Sequence, residues 1–186
     1  MDQNADPPGL LDQLPGELLM WVLIISELLV FGAGLAAFLA VRITDPAGFA
    51  EAQDHLHRVS AGINTIVLIT SGFFAAIAYR YCSNGRIRPA RLSLFAAMVL
   101  GGVFLAIKVW EYSDKAGQGF STETHPFFTF YYLLTGFHAA HVIAGIIILG
   151  LVAYTATPRT VETGGAFWHM VDLVWVLLFP IIYLLR

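Results

Sequence analysis

Long apolar stretches alternate with short polar connections along this chain, and the stretches are too long for strands. Five of them reach the roughly 20 residues that a bilayer crossing requires. They run from about Leu18 to Ile43, Gly62 to Tyr81, Leu92 to Trp110, Phe127 to Tyr154, and Phe167 to Leu185. A backbone surrounded by lipid must satisfy its own hydrogen bonds, which predicts α-helix in each stretch. The pattern therefore predicts an all-α integral membrane bundle of five transmembrane helices, a single domain over residues 1–186, with neighbouring helices antiparallel across short connections. Turn-forming residues punctuate it: Pro15-Gly16 before the first helix, then Asp45-Pro46 with Gly48, Asn84-Gly85 with Pro89, His125-Pro126, and Thr163-Gly164-Gly165 leading into the fifth. Residues Phe49 to Val59 are polar enough for a short interfacial segment.

Composition removes the soluble alternatives. Of 186 residues, 58% are hydrophobic and 12% charged, against roughly 25% charged in a soluble domain. A net charge of −3 without any basic stripe argues against nucleic acid as a partner. The single cysteine, Cys82, excludes an intramolecular disulfide and a multi-cysteine metal site, and it suits a small apolar position at a helix end. The acidic start, Met1 to Asp6, lacks the basic region and cleavage site of a signal peptide, so the first apolar stretch reads as a retained span. Arg80, Arg86, Arg88 and Arg91 crowd the second connection, whereas the third carries Glu111, Asp114 and Glu123 against Lys115. The positive-inside rule then predicts a cytoplasmic N-terminus and, after five spans, a C-terminus on the far side.

Ionisable groups inside spans are costly and each needs a reason. Glu27 lies near the middle of the first span among Leu23, Ile24, Val30 and Phe31. Burial would favour its protonated form. It could hydrogen-bond Ser26 or a neighbouring helix, contact a lipid headgroup or a partner, or relay protons. His138 and His141, three apart, are read as sharing one face of the fourth helix beside a small-residue stripe of Gly136, Ala140 and Ala144. This favours interhelical hydrogen bonding over metal ligation. His169 and Asp172 stand at i, i+3 on the last helix, as do Lys108 and Glu111 on the third, where a pair is expected near the membrane edge. Trp168 suits an interfacial anchor, and Asn64, Thr70 and Ser71 supply hydroxyl and amide groups between helices. No residue is assigned a catalytic role and no metal ligand set is assigned.

The motifs resemble subunit III of the haem-copper oxidases over nearly the whole length. Thr135-Gly136-Phe137-His138-Ala139-Ala140-His141-Val142 resembles the family's TGFHGLHV segment, and Phe167-Trp168-His169-Met170-Val171-Asp172-Leu173-Val174-Trp175 its YWHFVDVVW segment. Trp21, Ser26-Glu27 and Phe31 are similar to its W-x-F-I-x-S-E-x-x-x-F helix. Asn64-Thr65 with Thr70-Ser71, and Glu111-Tyr112, also fit. Five spans starting near Pro15-Gly16-Glu17 look most like the short form, which includes the type associated with nitric oxide reductase clusters (the NorE type) and the quinol oxidase subunit. The run Phe127 to Tyr132 leans toward the former. Ala139-Ala140 replaces Gly-Leu and Ser71-Gly72 replaces Ser-Ser. The two further N-terminal helices of longer members, which close a lipid-filled cleft, are missing, so any lipid would lie between this chain and its partner.

The resemblance implies a multi-pass, non-catalytic accessory subunit of the bacterial inner membrane, with the C-terminus periplasmic. It would sit on the catalytic subunit I of a terminal oxidase or nitric oxide reductase. Haem, with copper or non-haem iron, would belong to that partner, and this chain would hold phospholipid but no redox cofactor. Glu27 would correspond to the family's buried, carbodiimide-reactive glutamate. Ser26, Asn64, Glu111, His138, His141, His169 and Asp172 would form its interhelical polar network. Two other functions compete: an autonomous haem-binding electron carrier, requiring His169 to face His138 or His141, and a small proton channel or transporter built around Glu27.

Overall fold

The computed structural model describes residues 18–185; the acidic start and the Pro15-Gly16-Glu17 segment lie outside the described residues. The helices are α1 (Leu18–Thr44), α2 (Pro46–Asp54), α3 (Arg58–Ser83), α4 (Ile87–Gly117), α5 (Pro126–Thr155) and α6 (Pro158–Phe179), which continues as a π-helical turn over Pro180–Leu184. All but α2 are long and apolar enough to cross a bilayer, and no strand occurs among the described residues. The chain is an all-α, multi-pass membrane protein.

Helix starts follow local chemistry. Proline occupies the first turn of α2, α5 and α6, where its missing N–H costs nothing. The Asp45 carboxylate accepts a hydrogen bond from the Gly48 amide at 3.0 Å, and the His125 ring accepts one from the Phe127 amide at 3.1 Å. Thr157 and Thr160 form a reciprocal capping box at α6. That box sets the last helix at Pro158, so Thr163-Gly164-Gly165 is helix rather than connection. The glycine there serves packing: a Cβ on Gly164 would lie 2.8 Å from Val152 Cγ2. The second connection shrinks in the same way to Asn84–Arg86, with Gly85 at φ +72 and Pro89 already inside α4. Cys82 packs at the end of α3, its thiol donating to the Ala156 carbonyl at 3.2 Å.

Helix α6 forms the centre, packing against α1, α3 and α5, while α4 lies between α3 and α5. Half of the most apolar window of α6 is buried but only 17% of that of α1, which makes α1 peripheral. Trp168 is fully buried, not an interfacial anchor. Its indole sits in a notch where Cβ atoms on Gly101 and Gly145 would fall 2.7 and 2.6 Å from ring carbons. Its Nε1 donates to Ser71 Oγ at 3.1 Å, and Ser71 donates to the Ala97 carbonyl at 2.8 Å. The close helix approach on α5 therefore occurs at Gly145, not along the expected Gly136–Ala140–Ala144 stripe, of which Ala140 is exposed. The indole needs a gap one residue off that stripe.

The expected segment from Phe49 to Val59 is divided between the end of α2, a short connection and the start of α3, and it is not purely polar. Phe49 is buried against Phe38 and Phe127, with ring centroids 5.5 and 5.9 Å away. Gln53 Nε2 donates to the Ile182 carbonyl at 2.7 Å and Arg58 Nε to the Tyr183 carbonyl at 3.1 Å. The last carbonyls of a helix have no intrahelical donor; α2 and the start of α3 supply them. Asp45 also meets His125 Nε2 at 3.3 Å. The Gly48 amide, followed by the His125 contact, holds its carboxyl below the ordinary aspartate value of 3.8. A depressed folded-state pKa stabilises above the unfolded value and is lost as pH falls through the folded one. Protection of the Gly48 amide from hydrogen exchange should therefore stay flat through neutral and mildly acidic pH and collapse only below the ordinary aspartate value. Protection lost near the titration of a histidine would instead make His125, not Asp45, the controlling group.

Candidate functional site: buried polar stations along α5

Helix α5 turns Tyr131, Thr135 and His138 into the bundle, each fully buried, at successive turns of one face. The first station surrounds Lys108 of α4. Its ammonium lies 3.0 Å from Glu111 Oε2, 2.8 Å from the Tyr183 hydroxyl and 3.3 Å from the Tyr131 hydroxyl. The Tyr183 hydroxyl donates in turn to Glu111 Oε1 at 3.0 Å. The rings of Tyr112, Tyr131, Trp175 and Tyr183 surround the ammonium at 4.8 to 5.5 Å, close enough for cation–π attraction. The i, i+3 pair is thus enclosed in the bundle rather than open at a membrane edge. One turn on, the Tyr112 hydroxyl pairs with Thr135 Oγ1 at 2.6 Å.

His138 forms the second station. Its ring stacks on Trp175 at 5.2 Å and meets the edges of Phe104 and Phe31 at 5.6 and 6.3 Å. Neither ring nitrogen has a hydrogen-bond partner among the described residues. Nearby on α3, buried Asn64 donates to the Phe104 carbonyl at 3.2 Å. Trp175 Nε1 donates to Thr65 Oγ1 at 2.9 Å.

The third station joins α5 to α1. His141 Nε2 approaches Glu27 Oε2 at 3.1 Å, while its Nδ1 lies 2.9 Å from the Phe137 carbonyl. The Glu27 Oε2 atom is buried and makes no hydrogen bond among the described residues, so the two groups face each other without a formed bond. The rings of Phe31 and Phe137 wall the pair, their centroids 5.5 and 4.6 Å from that of His141. Glu27 is about 14 Å from the start of α1 at 1.5 Å per residue, well inside the span.

His138 and His141 therefore face different neighbours, one the aromatic core and the other α1, with the Phe31 ring touching both. The stations are separate; no hydrogen bond joins one to the next among the described residues. Ser26 lies outside all of them: it is exposed and its hydroxyl turns back to the Leu23 carbonyl at 2.8 Å. Thr70 does the same toward Ile66 at 2.7 Å. Short hydroxyls find their own helix carbonyls before they reach a neighbour. On α6, His169 Nδ1 lies 3.7 Å from Asp172 Oδ2, on the outer α3 side and away from His138. Tyr131, Tyr183 and the N–H groups of Trp168 and Trp175 belong to the network with no part in it expected from sequence, and Tyr112 stands out there only as a motif match. The placement of Tyr131, Thr135 and His138 at i, i+4 and i+7 was a usable signal for the first of them.

The geometry can hold charges in lipid; it has no room for a haem between its histidines, because three aromatic rings enclose His138. No group of three or more His, Cys, Asp or Glu side chains stands at metal-binding separation among the described residues. The run Phe127 to Tyr132 is accounted for by packing, since Phe127, Phe128 and Tyr131 are core.

The sequence profile of the family "Cytochrome c oxidase subunit III" matches residues 16–186. The chain is 32% identical over 173 residues to cytochrome c oxidase subunit 3 of Thermostichus vulcanus, covering 88% of this chain and 84% of that one. It is 29% identical over 176 residues to the protein of the same name from Corynebacterium diphtheriae, covering 89% and 86%. A haem-copper oxidase subunit I+III of Aeropyrum pernix matches at 29% over 179 residues, 89% of this chain and 22% of that larger one. With a family match over nearly its whole length and the five-span bundle to carry it, the chain belongs to the cytochrome c oxidase subunit III family.

Proposed function

We propose that this chain, an accessory subunit III of a haem-copper oxidase, seats itself on the catalytic subunit I of a bacterial terminal oxidase and keeps that subunit's membrane environment intact. The family match carries the reading. The fused subunit I+III relative supports subunit I as the partner, and relatives named cytochrome c oxidase subunit 3 favour a terminal oxidase over a nitric oxide reductase. Haem and copper belong to the partner in this reading. The arginine-rich turn at residues 80–91 faces the cytoplasm of the inner membrane, with the N-terminus on that side and the C-terminus in the periplasm. The buried stations hold the bundle rigid, and the Glu27–His141 contact tunes the lipid and proton environment at the edge of α1.

Purification of the tagged chain from its native membrane in mild detergent tests this. The expected result is a co-purifying subunit I that carries the haem absorption, and a colourless chain once the partner is stripped away. A Soret band retained by the isolated chain would overturn it. Within the intact complex, Glu27→Ala is expected to leave assembly in place while lowering retained phospholipid or shortening the turnover lifetime. Unchanged lipid content together with unchanged inactivation kinetics would remove Glu27 from the function.

A further inference from the structure

The outer surface of the bundle is apolar at mid-depth, as a lipid-facing surface should be. Exposed side chains there include Ile66, Ile69 and Phe73 on α3, Val99 and Val103 on α4, and Ile143 and Ile147 on α5. Helix α6 breaks that pattern. His169 lies about 16 Å from the start of α6 at 1.5 Å per residue, and its side chain is 48% exposed. It is more open than Glu27 or His141, at 21% and 15%. An ionisable group at this depth normally faces protein or a water-filled cavity.

His169 opens into a groove between α3 and α6 of about 380 Å³, whose walls are Ala75, Ala76 and Tyr79 on one side and Gly165 and Ala166 on the other. Arg80 and Glu162 stand in the groove toward the arginine-rich end. Small residues on both walls let another backbone approach closely. The imidazole turns Nδ1 toward the Asp172 carboxylate, which lies against Gly72 with no room for a Cβ. Nε2 is left as the open position. Asp172 is itself buried, and its Oδ1 has no hydrogen-bond partner.

We propose that the α3/α6 groove is the seat for a transmembrane helix of the catalytic subunit, one that presents a hydroxyl or carboxamide donor to His169. The inference rests on the accessory-subunit reading above and adds the face by which the chain docks. An acyl chain would fill the same groove but leave the imidazole Nε2 without a partner. A helix with one small polar residue satisfies it and uses the small-residue walls.

The test is photocrosslinking in the intact complex, with benzoylphenylalanine placed at Ala76 or Ala166 in the groove and at Phe95 on the outer face of α4. Crosslinks from both groove positions to subunit I, and none from Phe95, are expected. Groove positions that capture only phospholipid, or a subunit I adduct from Phe95 alone, would overturn the docking face while leaving the accessory reading intact. Failure of subunit I to co-purify with the unsubstituted chain would sink the accessory reading and the docking face with it. In parallel, His169→Leu should raise loss of the chain from the complex in detergent about tenfold, while His169→Gln, which keeps a hydrogen-bonding group, should retain it. Equal retention of both variants would overturn the role of His169.

Discussion

Lys108→Met should destabilise the bundle by about 3–5 kcal/mol, the range for breaking a buried ion pair by removing one partner. The substitution keeps the volume of the side chain but leaves the Glu111 carboxylate enclosed, with only the Tyr183 hydroxyl to answer it. The converse variant, Glu111→Gln, should be milder. The Lys108 ammonium keeps the Tyr183 and Tyr131 hydroxyls and four aromatic rings, and cation–π attraction in a desolvated site is worth about 2 kcal/mol. Replacing both, Lys108→Met with Glu111→Leu, should recover most of the loss, because an apolar pair of similar size can match a buried ion pair. Unfolding of the detergent-solubilised protein by heat or by an anionic detergent gives the three values. A double variant as unstable as Lys108→Met would show that the cage, not the uncompensated carboxylate, sets the cost.

The second large effect is expected at Gly145. Gly145→Val should cost at least the ~1–3 kcal/mol typical of overpacking, because Trp168 has no direction in which to yield. Its six-membered ring faces Gly145 on one side and Gly101 on the other, and its N–H is tied to Ser71. Gly102→Ala, a control where a Cβ meets nothing within 4 Å, should be neutral or slightly favourable, since alanine is the better helix former. Pairing Gly145→Ala with Trp168→Phe should be less damaging than the sum of the two alone, as expected for residues sharing one space. Strict additivity would show that the indole relocates freely.

The five spans, their order and the all-α class were legible because hydrophobic length in a membrane protein is dictated by bilayer thickness. The Lys108–Glu111, Glu27 and His169–Asp172 positions stood out for the same reason: charge inside a span is rare enough to be visible. The i, i+3 partners were legible with them, Lys108 beside Glu111 and His169 beside Asp172; the partners on other helices were not. His141, not Ser26, approaches Glu27, because a serine hydroxyl is taken by its own helix. Trp168 reads as an interfacial anchor because its true place depends on two glycines on other helices, Gly101 and Gly145, whose proximity no local pattern reveals. Gly164-Gly165 reads as a turn and delays the apparent start of α6, because the neighbour that requires Gly164, Val152, lies on another helix. Tyr183 lies beyond a proline, where helical periodicity gives way to a π turn, and its place beside Lys108 had no sequence signal.

The anchoring of Gln53 and Arg58 on the carbonyls of Ile182 and Tyr183 also orders events during synthesis. Those acceptors leave the ribosome well over a hundred residues after their donors, 129 positions later for Gln53 and 125 for Arg58. Until the final span enters the bilayer, the Gln53 amide lacks this acceptor, while the Arg58 guanidinium can rest on the Asp54 carboxylate one turn before it. The short second helix therefore gains these two anchors only from the last span, and no hairpin made earlier can supply them.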